Sequence, residues 1–138
     1  MDLDKAGREP MIVAGLGCRR GTSADDVEVA LILACSKAGI DLSSIDSLAT
    51  GTIKEDEPGI LQLATRLNLP LHIARDDELR EAAPLTQTVS RHSLAKTSSP
   101  SLSEAAALAG VDGPAVLLVA RVIAEGATCA LAQSRTIP

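Results

Sequence analysis

The densest chemistry in the chain lies in Gly15-Leu16-Gly17-Cys18-Arg19-Arg20-Gly21-Thr22-Ser23. Two adjacent guanidiniums sit among three glycines. Each guanidinium can hold a carboxylate or phosphate through two parallel hydrogen bonds. The glycines let a backbone approach an anion closely, and Thr22 and Ser23 suit the start of a helix. A helix N-terminus adds unpaired N–H groups and a partial positive charge. The expected chemistry is anion binding, in a chain whose net charge is otherwise −5.

Neither common nucleotide motif is met. The glycines at 15, 17 and 21 are one residue too wide for G-x-G-x-x-G, and a phosphate-cradling loop would need a Lys after its last glycine, where Thr22 stands. Cys18 lies beside the arginines, ahead of the expected helix, a setting that stabilises a thiolate. A nucleophile also needs a base. The only histidines, His72 and His92, fall in a strand and a loop. Cys18 therefore reads as a packed or ligand-adjacent thiol.

The elements around this loop alternate. Met11–Leu16 is a short apolar run suited to a buried parallel strand, and the chain breaks at Gly15–Gly21. Val27, Ala30, Leu31, Ala34, Cys35 and Ala38 then recur at helical spacing, with Gly39 as the stop. Ile45–Ala49 reads as a second strand. Glu57-Pro58-Gly59 opens a second helix striped by Ile60, Leu63, Ala64 and Leu67. Pro70–Ala74 reads as a third strand, and Asp76–Leu79 begins a short helix. Ser101 or Ser103 caps a later helix, Glu104–Ala109, ended by Gly110. Ala115–Ala120 and Ala127–Ala132 flank the Glu125-Gly126 turn and should pair antiparallel. The fold class is α/β: a three-layer α/β/α domain with a mostly parallel sheet and an antiparallel edge pair. Residues 1–10 read as a flexible leader, 11–133 as one domain and 134–138 as a tail. Residues 84–100, with Arg91, His92 and Lys96, read equally as a solvated linker or a lid, with room for a short strand at 87–90.

Composition removes several function classes. The 138 residues are 46% apolar, with no Phe, Tyr or Trp. Base-stacking nucleic-acid modules need aromatic platforms, and a pI near 4.9 disfavours a phosphate backbone. The apolar runs, such as Val29–Cys35, fall well short of the roughly 20 residues of a membrane helix. The polar start, Met1–Lys5, is unlike a secretory signal, so the expected compartment is cytoplasmic. Three cysteines without a CxxC pair read as free thiols, and Cys18, Cys35, Cys129, His72 and His92 lack zinc-ligand spacing. No metal or cofactor is expected.

Taken in order, the motifs resemble a known family. Gly15–Ser23 resembles the opening motif of the cobalamin-biosynthesis CobE family, whose domain also forms the C-terminal part of CbiG, cobalt-precorrin-5A hydrolase. Ile53–Gly59 resembles that family's Lys-x-x-Glu-Pro-Gly segment. Ser101–Ala107 resembles its Ser-Val-x-Glu-x-Ala helix start, and Thr128–Ala132 its Val-Thr-Val-Ala-Ile-Ala ending. The similarity spans residues 11 to 133. Arg121 stands where the family carries Lys, and Thr50–Ile53 departs from its usual run.

The resemblance implies a stand-alone vitamin B12 pathway protein whose ligand is a corrin-ring intermediate bearing acetate and propionate arms. The portion of CbiG that opens the lactone precedes this domain, so the hydrolase activity is not carried over. The implied ligand-binding residues are Gly17, Cys18, Arg19, Arg20, Gly21, Thr22, Ser23, Lys54, Glu57, Ser101, Ser103 and Glu104. Binding or presenting the intermediate leads. The alternatives are an enzyme acting on a precorrin, with Arg19, Lys54 and Glu57 as polarising or proton-transfer groups, and a structural partner of a precorrin methyltransferase. Plain readings stand beside these. Arg19, Arg20, Lys54 and Glu57 suit a helix-start surface. Ser101 and Ser103 suit N-caps, Glu104 a first helical turn, Arg121 a strand end and His72 a sheet edge. Cys35 and Cys129 lie on apolar stripes and suit the core.

Overall fold

The helices begin and end where local chemistry directs. In the computed structural model, which describes residues 10–86 and 101–135, α1 (Ala24–Ala38) starts where Ser23 accepts the Asp26 N–H at 3.1 Å. It stops at Gly39, whose φ of 72° is left-handed and easiest for glycine. Helix α2 (Pro58–Leu67) has Pro58 in its first turn, where no N–H is needed, and ends on left-handed Asn68. Helix α3 (Asp76–Ala82) begins with the Glu78 carboxylate accepting the Arg75 N–H at 2.8 Å. Helix α4 (Leu102–Ala109) is capped by Ser101, whose hydroxyl accepts the Glu104 N–H. Among the described residues, no helix is long and apolar enough to cross a membrane.

Five strands, β1 (Ile12–Cys18), β2 (Ser47–Gly51), β3 (Leu71–Ala74), β4 (Ala115–Ala124) and β5 (Ala127–Ser134), form one sheet ordered β3-β2-β1-β5-β4. β1–β2 and β2–β3 pair parallel, whereas β5 runs antiparallel to both β1 and β4. Four strands therefore point one way, and the expected antiparallel pair lies at one edge. Glu125 (φ 52°) and Gly126 (φ 81°) make the β4–β5 turn, a two-residue loop with both φ positive, which matches the strand twist.

Alternation along the strands separates two cores. Ala14, Leu16 and Leu48 face α1 and α2, where they pack with Val27, Leu31, Ile60 and Leu63. Val13, Ala49 and Ala132 face the other way, against Ala105, Ala106, Ala107 and Leu108 of α4. Without aromatic side chains, the second core is filled mainly by alanine. Filling that space to native density requires α4 to approach the sheet closely.

Several boundaries differ from the sequence reading. β1 does not break at Gly15. Gly17 and Cys18 pair with Thr128 and Ala127 of β5, so strand geometry continues to Cys18. The second strand lies two residues later than Ile45–Ala49, because Ile45 closes the short 3-10 turn Leu42–Ser44 and is buried there. Arg121 is inside β4 and not at its end, since β5 pairs as far as Ala124 across register shifts near Arg121. Residues 1–9 of the leader read over 1–10, the strand expected at 87–90, the rest of the linker or lid through residue 100 with Arg91, His92 and Lys96, and residues 136–138 of the expected tail lie outside the described residues. Ser134, read as the start of that tail, belongs to β5. Pro84 and Leu85 belong to a 3-10 turn, and Thr86 closes it with its hydroxyl on the Ala83 carbonyl.

The buried thiols carry a pH dependence. Burial, reinforced by neighbouring Cys35, pushes the Cys129 thiol well above its ordinary value of 9.0. The folded state thus holds a proton that the unfolded state releases. Stability is fully present below about pH 9 and falls above it, by up to about 1.4 kcal/mol per pH unit for this thiol. Urea midpoints measured from neutral to strongly alkaline pH should decline on the alkaline side, and a Cys129→Ala variant should decline less steeply.

Candidate functional site

The carboxyl ends of β1, β2, β3 and β4 share one edge of the sheet, the edge where open α/β sheets bind ligands. Three segments meet there: Arg19–Ser23 after β1, Thr52–Glu57 after β2, and the β4–β5 turn. The Arg19 N–H donates to the Gly126 carbonyl at 2.9 Å, tying the first loop to the turn. The Gly21 N–H donates to Glu57 Oε1 at 3.1 Å, tying it to the second segment. Thr22 folds the loop back on itself, with its N–H and hydroxyl both on the Arg19 carbonyl. Gly59 rests against the Thr22 carbonyl, so closely that any Cβ there would overlap it.

These contacts bring Arg19, Arg20, Lys54 and Glu57 into one region. Arg19 and Arg20 are exposed and Lys54 is half-buried. Among the described residues, none of these three cations makes an ion pair, whereas Arg66 bridges Asp25 and Glu28, and Arg75 reaches Asp77 and Glu78. Glu57 takes a different part from that of a solvent-facing ligand group. It is only 9% exposed, and its carboxylate positions the first loop through Gly21.

Cys18 departs from the thiolate-favouring setting that its neighbours imply. Burial and then the Glu57 carboxylate push its thiol above the ordinary value, outweighing the downward pull of Lys54 and of a hydrogen bond with Thr22. A protonated thiol is a poor nucleophile. The side chain is half-buried and packs against the α1–α2 core.

Helix α4 places its N-terminus at the same edge, since Leu102 packs near Gly17 and Gly51 at the ends of β1 and β2. Its polar residues point inward. Ser101 and Ser103 are buried with their hydroxyl oxygens 3.2 Å apart. Glu104 is fully buried, and its Oε2 accepts the Arg121 N–H at 2.8 Å, bridging α4 to the irregular stretch of β4. Their place in the interior gives these three residues a role in holding α4 on the sheet. His72 lies on β3, the sheet edge remote from β4. Its Nε2 is 3.3 Å from Glu78 Oε2, close enough for an ion pair on protonation but not aligned as a hydrogen bond. Among the described residues, no three His, Cys, Asp or Glu side chains gather as a metal site.

The cobalamin synthesis G C-terminus family model matches residues 12–132. The chain belongs to the CobE/CbiG C-terminal family. It is 31% identical over 126 residues to protein CobE from a Sinorhizobium species, covering 91% of this chain and 82% of that one. A crystal structure of CobE, described as a protein of the cobalamin (vitamin B12) biosynthetic pathway, superposes with a TM-score of 0.84. It shows 37% identity, and the match covers 94% of each chain. A cobalt-precorrin-5A hydrolase from Priestia megaterium is 32% identical over 59 residues, which is 43% of this chain but only 16% of that protein. The family's domain thus occurs alone in CobE and within a much longer hydrolase. The segment carrying Arg19, Arg20, Lys54 and Glu57 lies inside the family match.

Arg19, Arg20, Lys54 and Glu57, singled out in the sequence, lie on two loops that hydrogen-bond to each other through Gly21 and Glu57. The sequence did not signal the Gly126 carbonyl, because that partner belongs to a turn more than a hundred residues away. Ile53 entered the sequence reading only as part of motif segments; its side chain is 79% exposed between Thr52 and Lys54.

Proposed function

We propose that this family member binds a carboxylate-rich corrin-ring intermediate of cobalamin biosynthesis and presents it to a pathway enzyme. The observation that carries the reading is the group of three cations, Arg19, Arg20 and Lys54, which make no ion pair among the described residues and lie on two cross-linked loops at the carboxyl edge of the strands, where open α/β sheets bind ligands. Paired guanidiniums suit the acetate and propionate arms of such a ligand. Glu57 and the Gly126 carbonyl hold the first loop in place before any ligand arrives, which lowers the ordering cost of binding. The raised Cys18 thiol leaves the site without an activated sulfur nucleophile, in keeping with binding and presentation.

Absorbance titration with hydrogenobyrinic acid, followed by gel filtration, tests this. The protein has no Phe, Tyr or Trp, so it is nearly transparent in the near ultraviolet and the coloured ligand dominates the signal. Binding predicts a shifted ligand spectrum and co-eluting colour, both weakened by salt. An unchanged spectrum with separate elution overturns the reading. A recovered ligand of altered mass would instead identify an enzyme.

A further inference from the structure

Two isoleucines stand out at the edge that carries the cations. Ile53 is 79% exposed and Ile123 is 62% exposed, the two highest values among the large apolar side chains of the described residues. Ile53 sits in the 3-10 turn after β2, directly before Lys54. Ile123 is the penultimate residue of β4, paired across the sheet with Thr128, which is itself opposite Gly17. Single exposed apolar residues are ordinary on protein surfaces. These two flank the cationic loop on both sides. In the order β3-β2-β1-β5-β4, β1 and β5 lie between them, with Arg19 and Arg20 leaving β1. Three strand spacings put their strands about 14 Å apart.

Resting on the corrin-binding reading above, we infer that Ile53 and Ile123 are the two apolar contacts of the site, gripping opposite sides of a broad, flat ligand whose carboxylates meet Arg19, Arg20 and Lys54. The chemistry selected is amphipathic: an apolar macrocycle face fringed by anions. A small polycarboxylate carries the charge but cannot touch both isoleucines, and it gains nothing from either. In a chain without aromatic residues, aliphatic side chains are what a macrocycle face must meet.

The test compares wild type, Ile53→Ser and Ile123→Ser by absorbance titration with hydrogenobyrinic acid, with citrate as competitor. Each substitution should weaken corrin binding about tenfold through lost apolar contact, with an unchanged melting temperature because both side chains are solvent-facing. Citrate should displace the corrin poorly from wild type. Wild-type binding with unchanged affinity in both variants overturns this inference and leaves the corrin reading standing. A loss in only one variant overturns the two-sided grip. Failure of wild type to bind overturns both.

Discussion

Gly15→Ala should lower the melting temperature by about 10–20 °C, the largest effect expected of any single methyl group in this domain. Gly15 is buried in β1, the central strand, held by β2 on one side and β5 on the other. A Cβ added there would overlap the Ser103 carbonyl oxygen and lie 2.6 Å from the Ala107 nitrogen and 2.9 Å from the Ala107 Cβ. Two of these obstacles are backbone atoms of α4, so no rotamer change relieves them. Moving α4 outward would disturb its alanine-filled core and the Glu104 bridge to β4. Ordinary overpacking costs about 1–3 kcal/mol, and a clash against the α4 backbone should exceed that, at about 3–5 kcal/mol. Far-ultraviolet circular dichroism melts measure it. Gly21→Ala is the control. Gly21 has nothing within 4 Å and is constrained only by its φ of 82°, so its cost should be about 1–2 kcal/mol. If Gly15→Ala melts within a few degrees of wild type, α4 does not pack as closely as described.

Replacing Arg19 and Arg20 together by alanine should weaken corrin-carboxylate binding about 50-fold while leaving the fold intact. Each exposed guanidinium–carboxylate contact is worth roughly 1–1.5 kcal/mol after solvent screening, and the two together give that factor. The fold should survive because the loop is held by other groups: the Ser23 cap, the Gly21–Glu57 bond, and the Arg19 N–H to Gly126, which is a backbone bond that alanine keeps. Salt should weaken the wild type more than the double variant, because added ions screen a charge that the variant no longer has. Lysine at both positions keeps the charge but loses the planar fork, so its affinity should fall between the two. Equal affinity and equal salt dependence in wild type and the double-alanine variant would remove these arginines from the site.

Much of the architecture is local and was legible in the chain. Ser23, Gly39, Pro58, Asn68 and Ser101 mark helix ends by their own backbone and hydrogen-bonding preferences, which need no distant partner. The two periodicities distinguish strands from helices, and the strand–helix alternation leads to three layers. The Glu125-Gly126 turn predicted the antiparallel pair. The ordered motifs also placed the chain in its family. Glu57 was legible as a charge at a helix start, but not as the support of the first loop.

What the chain concealed depends on distant partners. β1 continues to Cys18 because β5, from the far end of the chain, pairs with it there. Gly15 reads in sequence as the point where the first strand breaks, yet it lies within β1 and serves as the gap into which α4 packs. Glu104 looks like an ordinary first-turn acid, but it satisfies the Arg121 N–H in the irregular part of β4, a stretch with no sequence mark of its own. Cys18 sits beside two arginines in sequence, but burial and Glu57 govern its proton. The sequence by itself determined where elements start and stop and which residue types could meet an anion, since those follow from backbone preference and side-chain chemistry. Only the tertiary structure decided which of those groups face solvent and which are spent inside, because burial and pairing are properties of neighbours brought together by folding.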